Sequence, residues 1–228
     1  MYSYYILSFL SIVHQLKHKK HVLVDIQASG GFASATALRK KITDGDASWE
    51  QYMPEMARNI YKEANVQNKF PVTEKQFDTA VLSVLRRVPS RLLRSIAYMP
   101  PAGFENRIAQ TAKQATSIEE LCALCGAKQY TAARVRRVVW NCFLGLPELG
   151  YAIEPTYLRV LAMNETGKAI LKQMKKTSTI PLVTKTAGFE ADELFALDVR
   201  ATDLYFASLP DAENRRGGAD YTTSPCVL

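Results

Sequence analysis

Cysteine is scarce in the sequence and is not arranged for a disulfide framework. Its four occurrences in 228 residues are Cys122, Cys125, Cys142 and Cys226. Cys122 and Cys125 form one C-x-x-C in a strongly helical stretch, but a zinc module needs a second pair of ligands, and none is present. We therefore expect reduced, mostly buried thiols in a cytoplasmic protein.

Histidine is scarcer still, and its three copies lie together near the start of the chain. His14, His18 and His21 would share one face of a helix. Lysines stand among them, at Lys17, Lys19 and Lys20. These lysines would repel a metal cation, and no carboxylate follows until Asp25. We therefore expect no metal site here.

The sequence also lacks an apolar run that could cross a bilayer. The stretch YSYYILSFLSIV, positions 2–13, has twelve residues, whereas a membrane-spanning helix needs about 20. Positive charge follows this stretch instead of preceding it, which is the reverse of a secretory signal peptide. We predict no membrane partner.

Basic residues, in contrast, are in excess. The chain has 29 Lys and Arg against 22 Asp and Glu, a net charge of +7 and a pI near 9.2. Its apolar content of 47% is enough to bury one or two cores. This balance predicts a globular protein with a polyanionic partner such as nucleic acid.

Residues 30–40, GGFASATALRK, combine two glycines with small residues and an arginine. Glycines allow close backbone approach, and Ser34 or Thr36 can cap a helix that starts near Ala35. The positive end of that helix favours an anion, and Arg39 adds a fork suited to phosphate oxygens. The stretch is either a phosphate site or an ordinary capped helix whose arginine faces water.

Apolar periodicity predicts three helices in the middle of the chain. Thr73 and Ser117 begin the capping boxes T-E-K-Q and S-I-E-E; the first helix ends at Pro89 and the second is capped by Gly126. The third runs from about Thr131 to Leu146, with an apolar stripe on one side. Its other sides carry Arg134, Arg136 and Arg137.

A fourth helix, NETGKAILKQMKK, is predicted from the N-cap Asn164. Its apolar face consists of Ile170, Leu171 and Met174, and its other face carries Lys168, Lys172, Lys175 and Lys176. Like charges one turn apart destabilise an isolated helix by about 0.2–0.5 kcal/mol per pair unless an anion lies across them. The lysines are either a solvated face or, with the three arginines, a phosphate-backbone footprint.

After residue 178 the pattern becomes mixed. Residues 180–185 read as a short strand, 196–207 as a strand that turns into a helix, and the tail DYTTSPCVL as β-prone at its end. The loop 214–220, NRRGGAD, has no apolar anchor and is expected to be mobile. Together these patterns predict a mainly α fold, with a helical bundle-like body and a small α/β or irregular C-terminal cap.

Five segments, in this order, resemble the bacterial tRNA(Met) cytidine acetate ligase family over roughly residues 30–228. They are SATALRK (34–40), GFENRI (103–108), KQYTAARVRR (128–137), TYLRVLAMNETGKAILK (156–172) and RATDLY (200–205). The resemblance implies an enzyme in which a Rossmann-type domain activates acetate with ATP as acetyl-adenylate. The acetyl group then passes to the wobble cytidine of elongator tRNA(Met), and a helical C-terminal region helps to hold the tRNA.

The resemblance also implies roles for individual residues. SATALR is similar to the Ser-Ser-Thr-x-x-Arg element of this superfamily, so that Arg39, with Ser34 and Thr36, would contact the phosphates of ATP. The lysines and arginines described above would bind tRNA. The family's His-x-Gly-His motif does not occur in this sequence, and residues 1–28 do not resemble the family's segment before SATALR.

These departures lead us to expect the C-terminal part of such a ligase, from a truncated gene or fragment, inactive alone and without most of the N-terminal Rossmann-type domain. The expected division is an atypical segment (1–29), a remnant of the nucleotidyltransferase domain (30–48), a helical domain (49–150), and a basic helix with a small cap (151–228). A stand-alone helical RNA-binding module without catalytic activity is the alternative.

Overall fold

The structure, a computed structural model, describes residues 35–69, 72–96, 98–101, 103–126, 130–146, 155–186, 189 and 192–227. Several expectations lie outside these ranges. They concern the apolar stretch 2–13, the three histidines, and Ser34 with the glycines at positions 30 and 31.

Two helices and a 3₁₀ turn form the first described unit. Helix α1 (Ala35–Thr43) leads into the 3₁₀ turn Ala47–Tyr52 and then into α2 (Glu55–Val66). Lys41 Nζ donates to Asp46 Oδ2 at 2.8 Å and to Ser48 Oγ at 2.7 Å, which ties α1 to the turn. Trp49 is buried and packs edge-on with Tyr61, with the ring centroids 4.6 Å apart, which ties the turn to α2.

The helical body begins at Thr73. Its capping box is present, with the Thr73 N–H donating to Gln76 Oε1 at 2.7 Å, but it opens a 3₁₀ turn, Glu74–Phe77, that continues into α3. The remaining helices of the body are α3 (Asp78–Arg87), α4 (Ser90–Leu93), α5 (Phe104–Gln114), α6 (Ile118–Cys125) and α7 (Ala132–Leu144). The predicted helical middle of the chain is thus confirmed.

The apolar stripes of these helices meet in one core. Among its fully buried members are Val81, Leu85, Ile108, Leu121, Val135, Val138 and Val139. The stripe predicted for α7 is buried through Phe143, and Leu146 lies half-buried just beyond the helix. Burial of this stripe holds α7 in place, because it packs against α3, α6 and the later helix Glu193–Ala207 (α9).

All four cysteines are unpaired, as expected. Cys122, Cys125 and Cys142 are buried in the core and Cys226 is half-buried. Burial raises the pKa of the Cys122 and Cys142 thiols to about 12. These two thiols are therefore protonated packing groups at neutral pH, not nucleophiles.

The described part of the C-terminal region contains two short parallel ladders and three further helices. Strand β1 (Leu158–Arg159) pairs with β3 (Leu182–Val183), and β2 (Ala162–Met163) pairs with β4 (Cys226–Val227). The helices are α8 (Glu165–Thr177), α9 (Glu193–Ala207) and α10 (Ala219–Thr222), with a 3₁₀ turn at Ala212–Asn214. The predicted strands at 180–185 and at the tail are confirmed in shortened form.

The expected strand at the start of 196–207 is wrong, because α9 is helical throughout. The Asp192 carboxylate caps it by accepting from the Phe195 N–H at 2.7 Å. Phe195, Thr202 and Tyr205 are buried at helical spacing, which a strand could not achieve. Asp192, an N-cap residue three positions before Phe195, is the local sequence feature that indicates a helix here.

The loop 214–220 is anchored by polar groups, although it has no apolar anchor. The Gly218 N–H donates to Asp203 Oδ1 at 2.7 Å, and Arg215 donates to the carbonyls of Leu209 and Pro210 at 2.7 and 3.0 Å. Asp220, at its end, is 2% exposed. The expected mobility was inferred from the lack of apolar anchors alone, whereas these polar contacts attach the loop to the fold.

Candidate functional site

Helix α8 lies on the surface of the C-terminal region and buries no side chain completely. Asn164 Oδ1 caps it by accepting from the Gly167 N–H at 2.8 Å, as predicted. Its inner side packs against β2, with Leu171 and Met174 half-buried. Ile170, which we expected on that side, is 55% exposed. The inner face is narrower than the sequence pattern indicated.

The outer side of α8 carries the four lysines. At about 100° per residue, positions 168, 172, 175 and 176 fall within an arc of about 100°. Lys168 is paired, since its Nζ lies 2.6 Å from Glu165 Oε1. Lys172, Lys175 and Lys176 are exposed and have no ion-pair partner within the described ranges. Three uncompensated cations therefore share one surface of a short helix.

The arginines of α7 have three different surroundings. Arg134 is exposed, with its guanidinium carbon 5.4 Å from the centroid of the Tyr130 ring. Arg136 is half-buried and forms an ion pair within the fold, because its Nε donates to Glu74 Oε1 at 3.1 Å. The Trp140 Nε1–H donates to the same oxygen at 3.2 Å. Arg137 is half-buried, and no partner of it is found in the part of the chain that the structure describes.

The two basic groups lie on separately supported helices. Helix α7 packs against α3 and α6 in the body and against α9, whereas the main neighbour of α8 is strand β2. Of the seven basic residues predicted to bind nucleic acid, Lys168 and Arg136 are held in ion pairs by the fold. The other five are Arg134, Arg137, Lys172, Lys175 and Lys176. They are the stronger candidates for contact with a polyanion.

Arg39 lies in the second turn of α1 and its side chain is exposed. Its carbonyl accepts from Thr43 Oγ1 at 2.8 Å. The first turn of α1 contains no acidic residue, so nothing there neutralises the positive end of the helix dipole. Thr36 belongs to this turn by its backbone. The phosphate role of Arg39, Ser34 and Thr36 stays a prediction.

A buried polar cluster in the C-terminal region was not anticipated from the sequence. Tyr157 donates to Asp198 in α9, and Arg159 in β1 pairs with Asp220 in α10 at 2.5 Å. Thr186 Oγ1 donates to the Asp220 carbonyl at 2.5 Å. Burial raises the pKa of the Asp198 carboxyl. The cluster ties β1, α9 and α10 together. Its members are distant in sequence, so only the fold brings them together.

Comparison with known proteins identifies the family. The model of the HIGH Nucleotidyl Transferase family matches residues 11–220. The chain belongs to this family. The match begins within the segment 1–29, ahead of the part for which we noted a resemblance.

Relatives of this chain carry a more specific name. The tRNA(Met) cytidine acetate ligase of Acetivibrio thermocellus is 31% identical over 216 residues, which are 88% of this chain and 52% of that protein. The ligase of the same name from Thermoanaerobacter sp. (strain X514) is 29% identical over 198 residues, 83% of this chain and 48% of that one. The chain thus spans about half the length of the curated relatives it matches.

Solved structures agree with these relatives. The Thermotoga maritima protein TmcAL bound with alpha-thio ATP matches with a TM-score of 0.77 and 27% identity, covering 88% of this chain and 53% of TmcAL. The apo form of TmcAL matches with a TM-score of 0.79 and 26% identity. The mainly helical fold with small parallel ladders is therefore shared with an ATP-binding relative. None of the helices in the described ranges has the length and hydrophobicity of a membrane span.

Proposed function

We propose that this chain is the tRNA-binding portion of an ATP-dependent ligase that acetylates the wobble cytidine of elongator tRNA(Met) through acetyl-adenylate. The observation that supports the proposal most is the outer face of α8. Lys172, Lys175 and Lys176 are exposed there without carboxylate partners in the described part of the chain. The names of the relatives suggest tRNA(Met) and acetate as substrates. The TmcAL structure with alpha-thio ATP suggests ATP.

Binding of an RNA backbone would stabilise the lysine face relative to its state in water. Three cations within one turn and a half of helix repel one another, and each phosphate that meets them removes part of this repulsion and releases counterions. The exposed position of α8 lets a large ligand reach all three lysines. Lysine contacts of this kind position an RNA without reading its sequence, so we assign this face to affinity.

The proposal is tested by changing Lys172, Lys175 and Lys176 together to alanine. We expect weaker binding of elongator tRNA(Met) to the purified chain at low salt. A plot of log K against log salt should also become shallower, by about 0.7–0.9 for each phosphate that the variant no longer neutralises. Fluorescence anisotropy with labelled tRNA across a salt series measures both quantities.

A matched control carries the same change in charge elsewhere. Lys69, Lys75 and Lys113 lie outside α8, and their combined replacement by alanine lowers the net charge equally. If this control weakens binding as much as the α8 variant, only net charge matters and the assigned face is wrong. An α8 variant with unchanged affinity and salt slope leads to the same conclusion.

The second part of the proposal concerns α1. Arg39 is assigned to the ATP phosphates, with Ser34 and Thr36 at the start of the same helix. A planar guanidinium can hold two phosphate oxygens, and charge on the leaving pyrophosphate increases as acetyl-adenylate forms. The exposure of Arg39 and the absence of acidic residues in the first turn of α1 support this assignment.

A further inference from the structure

Tyr130 and Arg134 form a cation–π pair, the Tyr130–Arg134 stack, at the start of α7. The guanidinium carbon of Arg134 lies 5.4 Å from the centroid of the Tyr130 ring, within the range of a cation–π contact. The Tyr130 ring rests in turn on Phe104, with the ring centroids 4.8 Å apart. Phe104 is only 4% exposed, so the base of this stack is fixed in the core of the body.

Other arginines of the body and cap are used differently. Four of them donate to carbonyls at or just beyond the ends of helices: Arg86 to Ala112 and Ala115, Arg107 to Leu124 and Gly126, Arg200 to Leu144, and Arg215 to Leu209 and Pro210. The guanidinium of Arg134 has no such hydrogen bond within the described ranges. Its N–H donors remain available, and its guanidinium carbon lies over a tyrosine ring.

We propose that the Tyr130–Arg134 stack receives an unpaired base from a single-stranded loop of RNA. The inference rests on the proposed function, since it requires that the chain binds RNA. It adds a second kind of contact, because the lysines of α8 meet the backbone whereas this stack meets a base.

The chemistry of the stack selects for unpaired nucleotides. Bases in a duplex have both faces covered by their neighbours, but a base in a loop can leave its neighbours and stack on an aromatic ring or a guanidinium plane. Stacking on such a platform is tolerant of base identity, since every base has a π face. The stack therefore gives the chain a preference for loops over duplexes. That preference fits an enzyme whose target cytidine lies at the wobble position of an anticodon loop.

The test compares two RNAs with equal numbers of phosphates, a hairpin with a single-stranded loop and a fully paired duplex. We expect the purified chain to bind the hairpin about tenfold or more tightly than the duplex, from the contribution that one stacked base makes. Arg134→Lys keeps the charge but removes the plane, so it should lose most of this preference with little change in the salt slope. Tyr130→Leu should lose the preference as well, whereas Tyr130→Phe should keep it.

The control is Arg87→Lys, the same substitution at an exposed position at the end of α3. It should leave the preference for the hairpin unchanged. Equal binding of hairpin and duplex by the parent chain, or an undiminished preference in Arg134→Lys, overturns the role of the stack while leaving RNA binding in place. Absence of binding to both RNAs overturns the proposed function and this inference with it. Circular dichroism confirms that each variant is folded.

Discussion

Glu105 shows how a charged residue can belong to the core. Its side chain is 2% exposed, but both oxygens have donors. Oε1 accepts from Arg94 Nη2 at 2.8 Å and from Arg94 Nε at 3.2 Å, and Oε2 accepts from the Gly103 N–H at 3.1 Å. Gly103 has φ +100°, a conformation that other residues rarely adopt. The segment G-F-E therefore joins a glycine-dependent turn, a core phenylalanine (Phe104) and a satisfied carboxylate at the start of α5.

These donors, chiefly Arg94, lower the pKa of the Glu105 carboxyl. A carboxylate with a lowered folded-state pKa stabilises the fold above its unfolded pKa of about 4.3, and the stabilisation is lost as the pH falls through the folded value. We predict that Glu105→Gln lowers the free energy of unfolding by about 1–2 kcal/mol at pH 7, because the charge is lost and the amide NH2 cannot accept in place of the second oxygen. The difference from the parent chain should shrink below about pH 4.

Urea unfolding of both proteins from pH 7 to pH 3 measures this difference. Glu119→Gln, on an exposed position of α6, is the control and should follow the parent chain within about 0.5 kcal/mol. A constant difference between Glu105→Gln and the parent at all pH values would show that Glu105 contributes through its second oxygen as a hydrogen-bond partner and not through its charge.

At the scale of elements, helices of the body and helix α8 differ in what holds them. Helix α7 buries a stripe of apolar side chains and is tied by its neighbours. Helix α8 buries none completely and depends on its cap at Asn164 and on half-buried contacts of Leu171 and Met174. Like-charged lysines on its outer face further reduce its stability. The helix that carries the three assigned lysines is therefore supported less by the core than α7 is.

Asn164→Ala should consequently loosen α8 without unfolding the chain. Loss of an N-cap costs about 1 kcal/mol, and here the cost falls on one helix instead of on the common core. Amide hydrogen exchange measured by mass spectrometry should show faster exchange in 165–177 and unchanged exchange in α7. Thr131→Ala, which removes the cap of α7, is the comparison. Equal acceleration in both helices after Asn164→Ala would contradict the view that α8 opens independently.

Elements marked by caps or by apolar periodicity within a few turns could be predicted from the sequence. Caps at Thr73, Ser117 and Asn164 and the stripe of α7 are read within one or two turns, and all are present in the structure. Even so, Glu120 Oε2 accepts from the Thr116 N–H at 2.8 Å, and not from the Ser117 N–H as a capping box requires. The pairs Arg159–Asp220 and Arg136–Glu74 join residues about sixty positions apart, so no local pattern announces them. The same holds for the stack on Tyr130, whose support by Phe104 depends on the fold.

At the scale of the whole molecule, net charge is a poor measure of the candidate interface. The net charge of +7 predicted a polyanionic partner. Many arginines, however, stabilise the fold by donating to carbonyls at helix ends or by pairing with carboxylates. What remains for RNA is a small set on α7 and α8. The chain also covers only about half of each of these two ligase relatives. Acetyl transfer is therefore proposed only for this chain joined to the part of a relative that it does not match.

The last prediction therefore concerns a chimera that joins residues 30–228 to the part of Thermotoga maritima TmcAL that this chain does not match. In it, Arg39→Ala should slow ATP–pyrophosphate exchange with acetate by about 10²–10³-fold, because it removes a donor that stabilises charge developing on the leaving group. Binding of tRNA should change little, since the lysines of α8 are untouched. Arg39→Lys should restore exchange only in part, because an ammonium group cannot form the bidentate fork.

Two controls accompany this measurement. The 228-residue chain alone, given ATP, labelled acetate and unmodified elongator tRNA(Met), should bind the tRNA in the micromolar range or more weakly, about 10⁻⁴–10⁻⁶ M, and form no acetylcytidine. Forming an acyl-adenylate requires ATP and acetate to be held in line, and the single phosphate contact proposed for α1 would not orient the carboxylate. Acetylated tRNA above the blank would place an active site within residues 1–228. Exchange at the parent rate in the Arg39→Ala chimera, with TmcAL active in the same assay, would make Arg39 a surface residue of α1 that ATP does not touch.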